Sequence, residues 1–371
     1  MRIRFLAMAV SVALVVGLAG VASGQPPSGA NPRVPTISAQ TVVSGLNYPA
    51  AFTFAPDGRI FYGERFTGDI RIYDPVSHSN TLFFHIPSVV TNGEQGLLGL
   101  ALHPQYAEGK PYVYAYATRK APDTSLHNQI LAIKDVGGTG SSAKVIFSNP
   151  TTAGTYHDGG RIRFGPDGML YVVVGEGHDA SNAQDLSNYA GKSLRMTGMG
   201  KVPPDNPIPG SLIWTYGLRN SFGFTFDPET GRLWQTENGP DCNDEVNLLH
   251  RGHNYGWGPN ANCSDPNPPA NTNQDGPDPV FPLAYFTPTI APVGTVFCEG
   301  CGLGASFEGT LLFASYNDHE IRRVYLTADR KDISSLAKVF HTSAAPLSME
   351  AGPDGSVYFS SEDGSIYKLV P

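Results

Sequence analysis

Phe52-Thr-Phe-Ala-Pro-Asp-Gly-Arg-Ile-Phe-Tyr62 is one apolar strand, a tight turn and a second apolar strand. Proline fixes φ for the turn, aspartate bonds its own backbone, and glycine takes the positive φ that closes the hairpin. The alternating strand that follows buries one face. The same pattern returns at Ile162-Arg-Phe-Gly-Pro-Asp-Gly-Met-Leu-Tyr171 and at Phe224-Thr-Phe-Asp-Pro-Glu-Thr-Gly-Arg-Leu-Trp234. It closes the chain at Met349-Glu-Ala-Gly-Pro-Asp-Gly-Ser-Val-Tyr358. Looser copies are Leu100–Pro104 with Pro111–Ala115, and Phe307–Phe313 with Ile321–Tyr325. Six units at a spacing of roughly 45–80 residues indicate radial repetition, so the sequence predicts an all-β fold, a six-bladed β-propeller. A sandwich of equal strand number is the alternative, but repetition of a whole four-strand unit favours the propeller. Helical signal is weak, and its best stretch is Asn182 to Leu194.

Composition agrees. The 371 residues include 42 Gly and 31 Pro, with 19 Phe and 17 Tyr. That is the makeup of short strands and many turns. At the N-terminus Arg2 and Arg4 precede an apolar run, Phe5 to Val21, and the small residues Ala22-Ser-Gly24. This reads as a signal peptide over 1–24, with no stop-transfer flank and no later membrane span. The expected product is secreted or periplasmic. A Pro/Ser/Asn-rich leader over 25–40 reads as disordered, and the propeller is expected over 41–371. Residues 259–294, rich in Pro, Asn and Asp, read as a long loop insertion over one face. Removing the two leading arginines leaves 23 basic against 33 acidic residues. Such a balance argues against nucleic acid or anionic lipid as partner. The four cysteines form two local pairs, Cys242 with Cys263 and Cys298 with Cys301. Disulfides are the default in an exported chain; a zinc site or a redox C-x-x-C are the weaker readings.

Three places carry chemistry. His157 lies between Tyr156 and Asp158-Gly-Gly160. A neutral imidazole there is a general base, or else a turn histidine bonded to a carbonyl. Glu237-Asn-Gly-Pro-Asp-Cys-Asn-Asp-Glu245 offers the carbonyls of Gly239 and Pro240 among carboxylates. Hard oxygen donors at this density suit Ca²⁺, against the plainer reading of a solvated acidic turn. Arg219-Asn220 sits in an apolar run from Leu212 to Phe226. An arginine in that setting needs an anion, an aromatic stack or a structural ion pair.

Further motifs are Gly93-Glu-Gln-Gly-Leu-Leu-Gly-Leu-Ala-Leu-His-Pro104, Gly191-Lys-Ser-Leu-Arg195, Pro204-Asp-Asn-Pro207, Tyr216-Gly-Leu-Arg-Asn-Ser-Phe-Gly223 and Asn254-Tyr-Gly-Trp257. With those above, and in this order, the chain resembles the glucose/sorbosone dehydrogenase family, the soluble quinoprotein aldose dehydrogenases. The resemblance covers about Thr41 to Leu369. It implies a six-bladed propeller with pyrroloquinoline quinone (PQQ) on one face and Ca²⁺ polarising the quinone. It implies a sugar substrate oxidised at C1 and an external electron acceptor. By the same resemblance His157 takes the C1 hydroxyl proton, and Glu94, Arg219, Asn220 and Asn317 occupy cofactor positions. Carbonyls of Gly239 and Pro240 match ligands of the cofactor Ca²⁺, while Glu245 and Tyr255 match a second, structural calcium site.

The departures are specific. Glu94 stands where the family has a Gln, Tyr156 where an acid often precedes the histidine, and Gly177 where a Gln lines the cofactor. Asn317 replaces a Lys, and Ala345 and Leu347 replace two Arg residues, that hold the PQQ carboxylates. Each such contact is worth about 1–3 kcal/mol as a charge-assisted hydrogen bond. Arg161, Arg163, Arg322 and Arg323 are the cations at hand to compensate. Two other functions therefore stand beside the dehydrogenase. One is a non-redox, calcium-stabilised binding propeller for a glycan or protein partner. The other is a lactonase-like hydrolase using a propeller-bound Ca²⁺. No Gly-x-Ser-x-Gly elbow supports a serine hydrolase.

Overall fold

The structure is a computed structural model that describes residues 36–150 and 155–371. The signal peptide and residues 25–35 of the leader lie outside these residues. Strand β1 (Ser38–Val43) comes first. Blade 1 holds β2 (Pro49–Phe54), β3 (Ile60–Glu64), β4 (Asp69–Tyr73) and β5 (Asn80–His85). Blade 2 holds β6 (Leu97–Leu102), β7 (Tyr112–Lys120), β8 (Leu126–Asp135) and β9 (Gly140–Pro150). Blade 3 holds β10 (Ile162–Phe164), β11 (Leu170–Val174), β12 (Lys192–Met196) and β13 (Ile213–Tyr216). Blade 4 holds β14 (Gly223–Phe226), β15 (Leu233–Glu237), β16 (Asp244–Leu249) and β17 (Ala284–Phe286). Blade 5 holds β18 (Pro292–Phe297), β19 (Leu311–Ser315), β20 (Glu320–Leu326) and β21 (Ile333–His341). Blade 6 holds β22 (Pro346–Ala351), β23 (Val357–Ser361) and β24 (Ser365–Val370), completed by β1.

All six sheets are antiparallel meanders of four strands. The first strands of neighbouring blades meet around the axis: β2 packs on β6, β6 on β10, β14 on β18, β18 on β22 and β22 on β2. Each of six apolar clusters bridges two adjacent blades. Leu98 and Tyr116 of blade 2, for instance, pack with Val172 and Leu194 of blade 3. Both faces of a blade are thus covered, which is why second strands such as β11 and β15 are buried at every residue. The outer strands β5 and β21 are largely exposed or half-buried.

The Pro-Asp-Gly hairpins join first to second strands in blades 1, 3 and 6, and related turns do so in blades 2 and 4. In blade 5 the looser copy is shifted: Phe307 precedes the second strand, and the first strand is Pro292–Phe297. Three boundaries differ from the sequence reading. The leader drawn to residue 40 runs into β1, where Ser38 pairs with Val370 and Thr41 with Tyr367. This closing strand has three exposed and three half-buried residues and no buried one, so its sequence carries no clear alternation to find. The insertion drawn over 259–294 includes β17, which pairs with β16, and the start of β18. The stretch Asn182 to Leu194 is no helix: a short 3-10 turn spans Ala180–Ala183, and β12 begins at Lys192.

The inner ring is tight enough to exclude a methyl group. A Cβ on Gly294 of β18 would lie 2.1 Å from the Met349 nitrogen of β22. Backbone cannot yield as a side chain tip can. Gly294→Ala is therefore expected to cost about 3 kcal/mol, read as a lower urea midpoint at unchanged slope. An unshifted midpoint would contradict this packing.

Candidate functional site

The Pro-Asp-Gly turns surround one mouth of the propeller. At the other mouth, first strands begin and second strands end. A cavity of about 400 Å³ opens there, lined by Arg65, Glu94, Tyr156, Arg161, Asn317 and Leu347 among others. This size suits a cofactor-sized ligand. A larger cavity, about 550 Å³, lies among the Pro-Asp-Gly turns, lined by His103, Phe164, Phe226 and the Arg163–Glu350 pair. None of the residues matched to the family's site lines it, whereas Glu94, Asn317 and Leu347 line the smaller one.

His157 is held from several sides. Its φ is +64°, in the left-handed region. Its ring Nδ1 lies 2.5 Å from Glu176 Oε1, and both residues are buried. Its backbone nitrogen donates to Glu94 Oε2 at 2.8 Å. A Cβ on Gly175 would stand 2.0 Å from the His157 carbonyl oxygen, so only glycine admits this approach. Glu176 fixes the tautomer with the proton on Nδ1, which leaves the Nε2 lone pair as acceptor. The other carboxylate oxygen of Glu176 is buried with no hydrogen-bond partner among the described residues. Tyr156 and the exposed ring of His178 flank the imidazole, their centroids 6.0 Å apart, and His178 lies 4.9 Å from His157.

Asp158, next in the chain, accepts from Asn128 Nδ2 at 2.9 Å but is otherwise desolvated, and burial pushes its pKa up to about 6. Between about pH 4 and 6 the folded state therefore binds a proton that the unfolded chain does not. Stability from this group is greatest at acid pH and is lost as pH rises through 6. Asp158→Asn is expected to raise stability above pH 6 by about 1–3 kcal/mol and to flatten that part of the urea-midpoint profile. A profile unchanged by the substitution would contradict it.

Arg219 lies in the loop between β13 and β14. Its Nη1 donates to the Asn238 carbonyl at 2.9 Å, and its guanidinium stacks 5.4 Å from the Trp257 ring centroid. Burial lowers its pKa, against the attraction of Glu176, Glu237, Glu94 and Asp244. Its Nε is buried without a partner. Asn220 is 1% exposed and acts between loops: Nδ2 donates to Glu94 Oε2 at 2.9 Å, and Oδ1 accepts from Gly159 N at 3.2 Å. Glu94 is thereby the knot of three motifs, and its Oε2 is turned to the protein. This use of the carboxylate could not be read from the sequence, where Glu94 is an anion displacing a neutral amide.

The acidic turn is built as an oxygen-rich shell. Glu237 is buried; its Oε1 accepts the backbone N–H of Arg219 at 3.0 Å and that of Asn220. Glu245 stands opposite it across β15 and β16. Its Oε2 accepts from Asn247 Nδ2 at 2.9 Å. Burial pushes Glu237 up to about 8 and Glu245 up to about 7. Asp244 caps Gly239 N at 2.7 Å and Ala291 N at 2.7 Å. Neither the Gly239 nor the Pro240 carbonyl oxygen accepts a hydrogen bond among the described residues. Asn273 bridges Glu245 and the Tyr255 carbonyl, the latter at 2.8 Å, so these two are brought together. Buried carboxylates and unused carbonyls with one arginine among them are a donor set that fits a hard divalent cation. Cys242–Cys263 and Cys298–Cys301 are both disulfides, which leaves no thiolate for zinc.

The other matched positions are also located. Asn317 is exposed on the cavity rim, its amide donating to the Thr289 carbonyl at 3.3 Å. Leu347 lines the cavity, whereas Ala345 is buried. Glu176 and Arg65 were missed by sequence reasoning. A lone acid between Gly175 and Gly177, straight after an apolar strand, was the available signal for Glu176; Arg65 carries none.

Fold and site together define a propeller that presents a carboxylate-held histidine and an acid-rich, cation-ready shell at one mouth. The chain belongs to the glucose/sorbosone dehydrogenase family, whose pattern matches residues 46–368. This is a family of soluble PQQ-type sugar dehydrogenases, which are oxidoreductases. An uncharacterized protein of Synechocystis is 30% identical over 368 residues, covering 90% of this chain and 87% of its own. Quinoprotein glucose dehydrogenase B of Acinetobacter calcoaceticus is 33% identical over 250 residues, covering 59% of this chain and 52% of its own. Among solved structures, the PQQ-bound aldose sugar dehydrogenase of Streptomyces coelicolor superposes with a TM-score of 0.76 at 29% identity, covering 90% and 97% of the two chains.

Proposed function

We propose that this protein is an exported, calcium-dependent quinoprotein that oxidises the C1 hydroxyl of an aldose to the lactone. The observation that carries the reading is the buried His157–Glu176 pair beside a cofactor-sized cavity, whose lining includes Tyr156, next to His157 in the chain, and Glu94, which accepts from the His157 nitrogen. His157 Nε2 accepts the hydroxyl proton, and Glu176 stabilises the imidazolium that forms. Arg219, stacked on Trp257 and with its buried Nε lacking a partner among the described residues, would contact the bound ligand, as the family resemblance implies. The carbonyls of Gly239 and Pro240 would hold one Ca²⁺, and Glu245 with the Tyr255 carbonyl would hold a second. PQQ, when bound, supplies the two-electron acceptor for the C1 hydrogen. An external acceptor then receives the electrons.

Export is supported by the N-terminal sequence and by the two disulfides, which suit an oxidising compartment. No helix among the described residues is long and apolar enough to cross a membrane. The non-redox binding propeller is kept as a second reading because Asn317 and Leu347 bring no charge to the cavity rim. Reconstitution separates the two. Purified protein given PQQ and Ca²⁺ should reduce an artificial dye in the presence of an aldose, and should need both additions. Folded, reconstituted protein that reduces no dye with any aldose would sink the proposal.

A further inference from the structure

The cavity holds two guanidinium groups, those of Arg161 and Arg65, that make no direct ion pair with a carboxylate among the described residues. Of the four arginines that the sequence offers as compensation, only Arg161 reaches it. Arg163 meets Glu350 at 2.8 Å and faces the opposite mouth. Arg322 pairs with Asp318. The Arg323 guanidinium lies 4.0 Å from the Phe307 ring centroid and 4.2 Å from that of Tyr325.

Arg161 is 5% exposed and lines the cavity wall. Its Nε donates to the Phe222 carbonyl at 3.0 Å and its Nη2 to the Leu347 carbonyl at 3.3 Å. No protein acceptor among the described residues takes its Nη1 protons. Glu350, whose charge acts on Arg161, makes its direct ion pair with Arg163 instead. Arg65 reaches the same cavity from the end of β3. Its guanidinium lies over Phe66 and Tyr48, 4.8 and 5.4 Å from the ring centroids. It donates to the carbonyls of Gln95, at 3.1 Å, and Gly93. Both arginines thus spend donors on backbone carbonyls, which fixes them in place without cancelling their charge. A buried cation without an anion is costly unless a ligand supplies one. The surrounding wall is apolar, with Leu98, Phe222, Val293 and Leu347, so an ion pair there is strengthened by low dielectric.

We infer that Arg161 and Arg65 form the anion-holding end of this cavity and grip carboxylates of the bound quinone. The inference rests on the function proposed above and assigns the clamp to residues outside the three matched positions. Planar guanidinium forks suit carboxylates bidentately. The ligand class is a planar aromatic polycarboxylate.

The test is a titration of the full, mature protein with PQQ at fixed Ca²⁺, followed by cofactor absorbance. Wild type, Arg65→Gln, Arg161→Gln and Arg161→Lys are compared, with thermal melts of the unliganded proteins as the folding control. Each Gln variant is expected to bind about ten- to a hundredfold more weakly and to show a shallower salt dependence. Arg161→Lys should fall between. Asn317→Lys, at the exposed rim, should tighten binding by restoring a cation. If Arg161→Gln does not fold, Arg65→Gln and Asn317→Lys still decide. Wild-type binding that survives both Gln substitutions overturns the clamp and leaves the quinoprotein reading standing. Failure of the wild type to bind overturns that reading, and the clamp with it.

Discussion

His157→Ala is expected to lower kcat for aldose oxidation by about 10²–10⁴-fold, the range for loss of a positioned general base. PQQ affinity should change little, because the imidazole is committed to Glu176 on one side and to the substrate hydroxyl on the other. Backbone strain at φ +64° is common to alanine and histidine and cancels, but the buried Glu176 loses its Nδ1 partner, so a modest loss of stability should accompany the substitution. Glu176→Gln sharpens the assignment. The amide can keep a hydrogen bond to Nδ1 but not the charge that supports the imidazolium, nor a fixed tautomer. Its kcat should fall steeply at unchanged KM, and the acid limb of the pH–rate profile should move, because that limb reports the base. Two outcomes would remove His157 from the chemistry: wild-type kcat in His157→Ala, or a Glu176→Gln defect confined to KM.

The second large effect is on stability. Glu237 and Glu245 face each other across adjacent strands, both buried and pushed up by desolvation first and also by a neighbouring carboxylate, Glu245 for Glu237 and Asp244 for Glu245. At pH 8 much of that charge is present and has no cationic partner beyond Arg219 and amide donors. A bound divalent ion relieves it. With Ca²⁺ at about a thousand times its Kd, linkage adds roughly 4 kcal/mol, or about 5–10 °C in Tm for a domain of this size. EDTA should reverse the gain. Glu245→Gln gives a crossing result. In Ca²⁺ it should melt below wild type, having lost a ligand; in EDTA at pH 8 it should melt at or above wild type, having lost an unpaired buried charge. A Tm blind to Ca²⁺ and EDTA in the wild type would contradict the cation site at this turn.

Much of the fold was legible because its information is local. A Pro-Asp-Gly turn and two alternating strands announce themselves within about a dozen residues, and five of the six first hairpins lie where that pattern places them. What was hidden is non-local. β1 closes blade 6 by pairing Ser38 with Val370, and nothing in an exposed outer strand signals a partner at the far end of the chain. β17 is three residues in a Pro- and Asn-rich segment, an edge strand recognised only by its pairing to β16. The site divides in the same way. His157, Arg219 and the 237–245 turn stand out through residue type and glycine-rich context. Their couplings do not: Glu94 reaches His157 N and Asn220 from another blade, and Arg65 enters the cavity only once the ring closes. Which of the four candidate arginines faces the cavity is likewise non-local information: three of them point elsewhere.

The most direct measurement is a single-turnover experiment without any external acceptor. Protein loaded with PQQ and Ca²⁺ is mixed with glucose, or another aldose that the dye assay selects, and with its C1-deuterated form, while the oxidised-cofactor absorbance is followed. The expected result is a rapid loss of that absorbance, slowed by deuterium at C1, with one lactone formed per cofactor. An absorbance that stays constant, or decays without an isotope effect and without lactone, would contradict a sugar dehydrogenase acting at this mouth of the propeller.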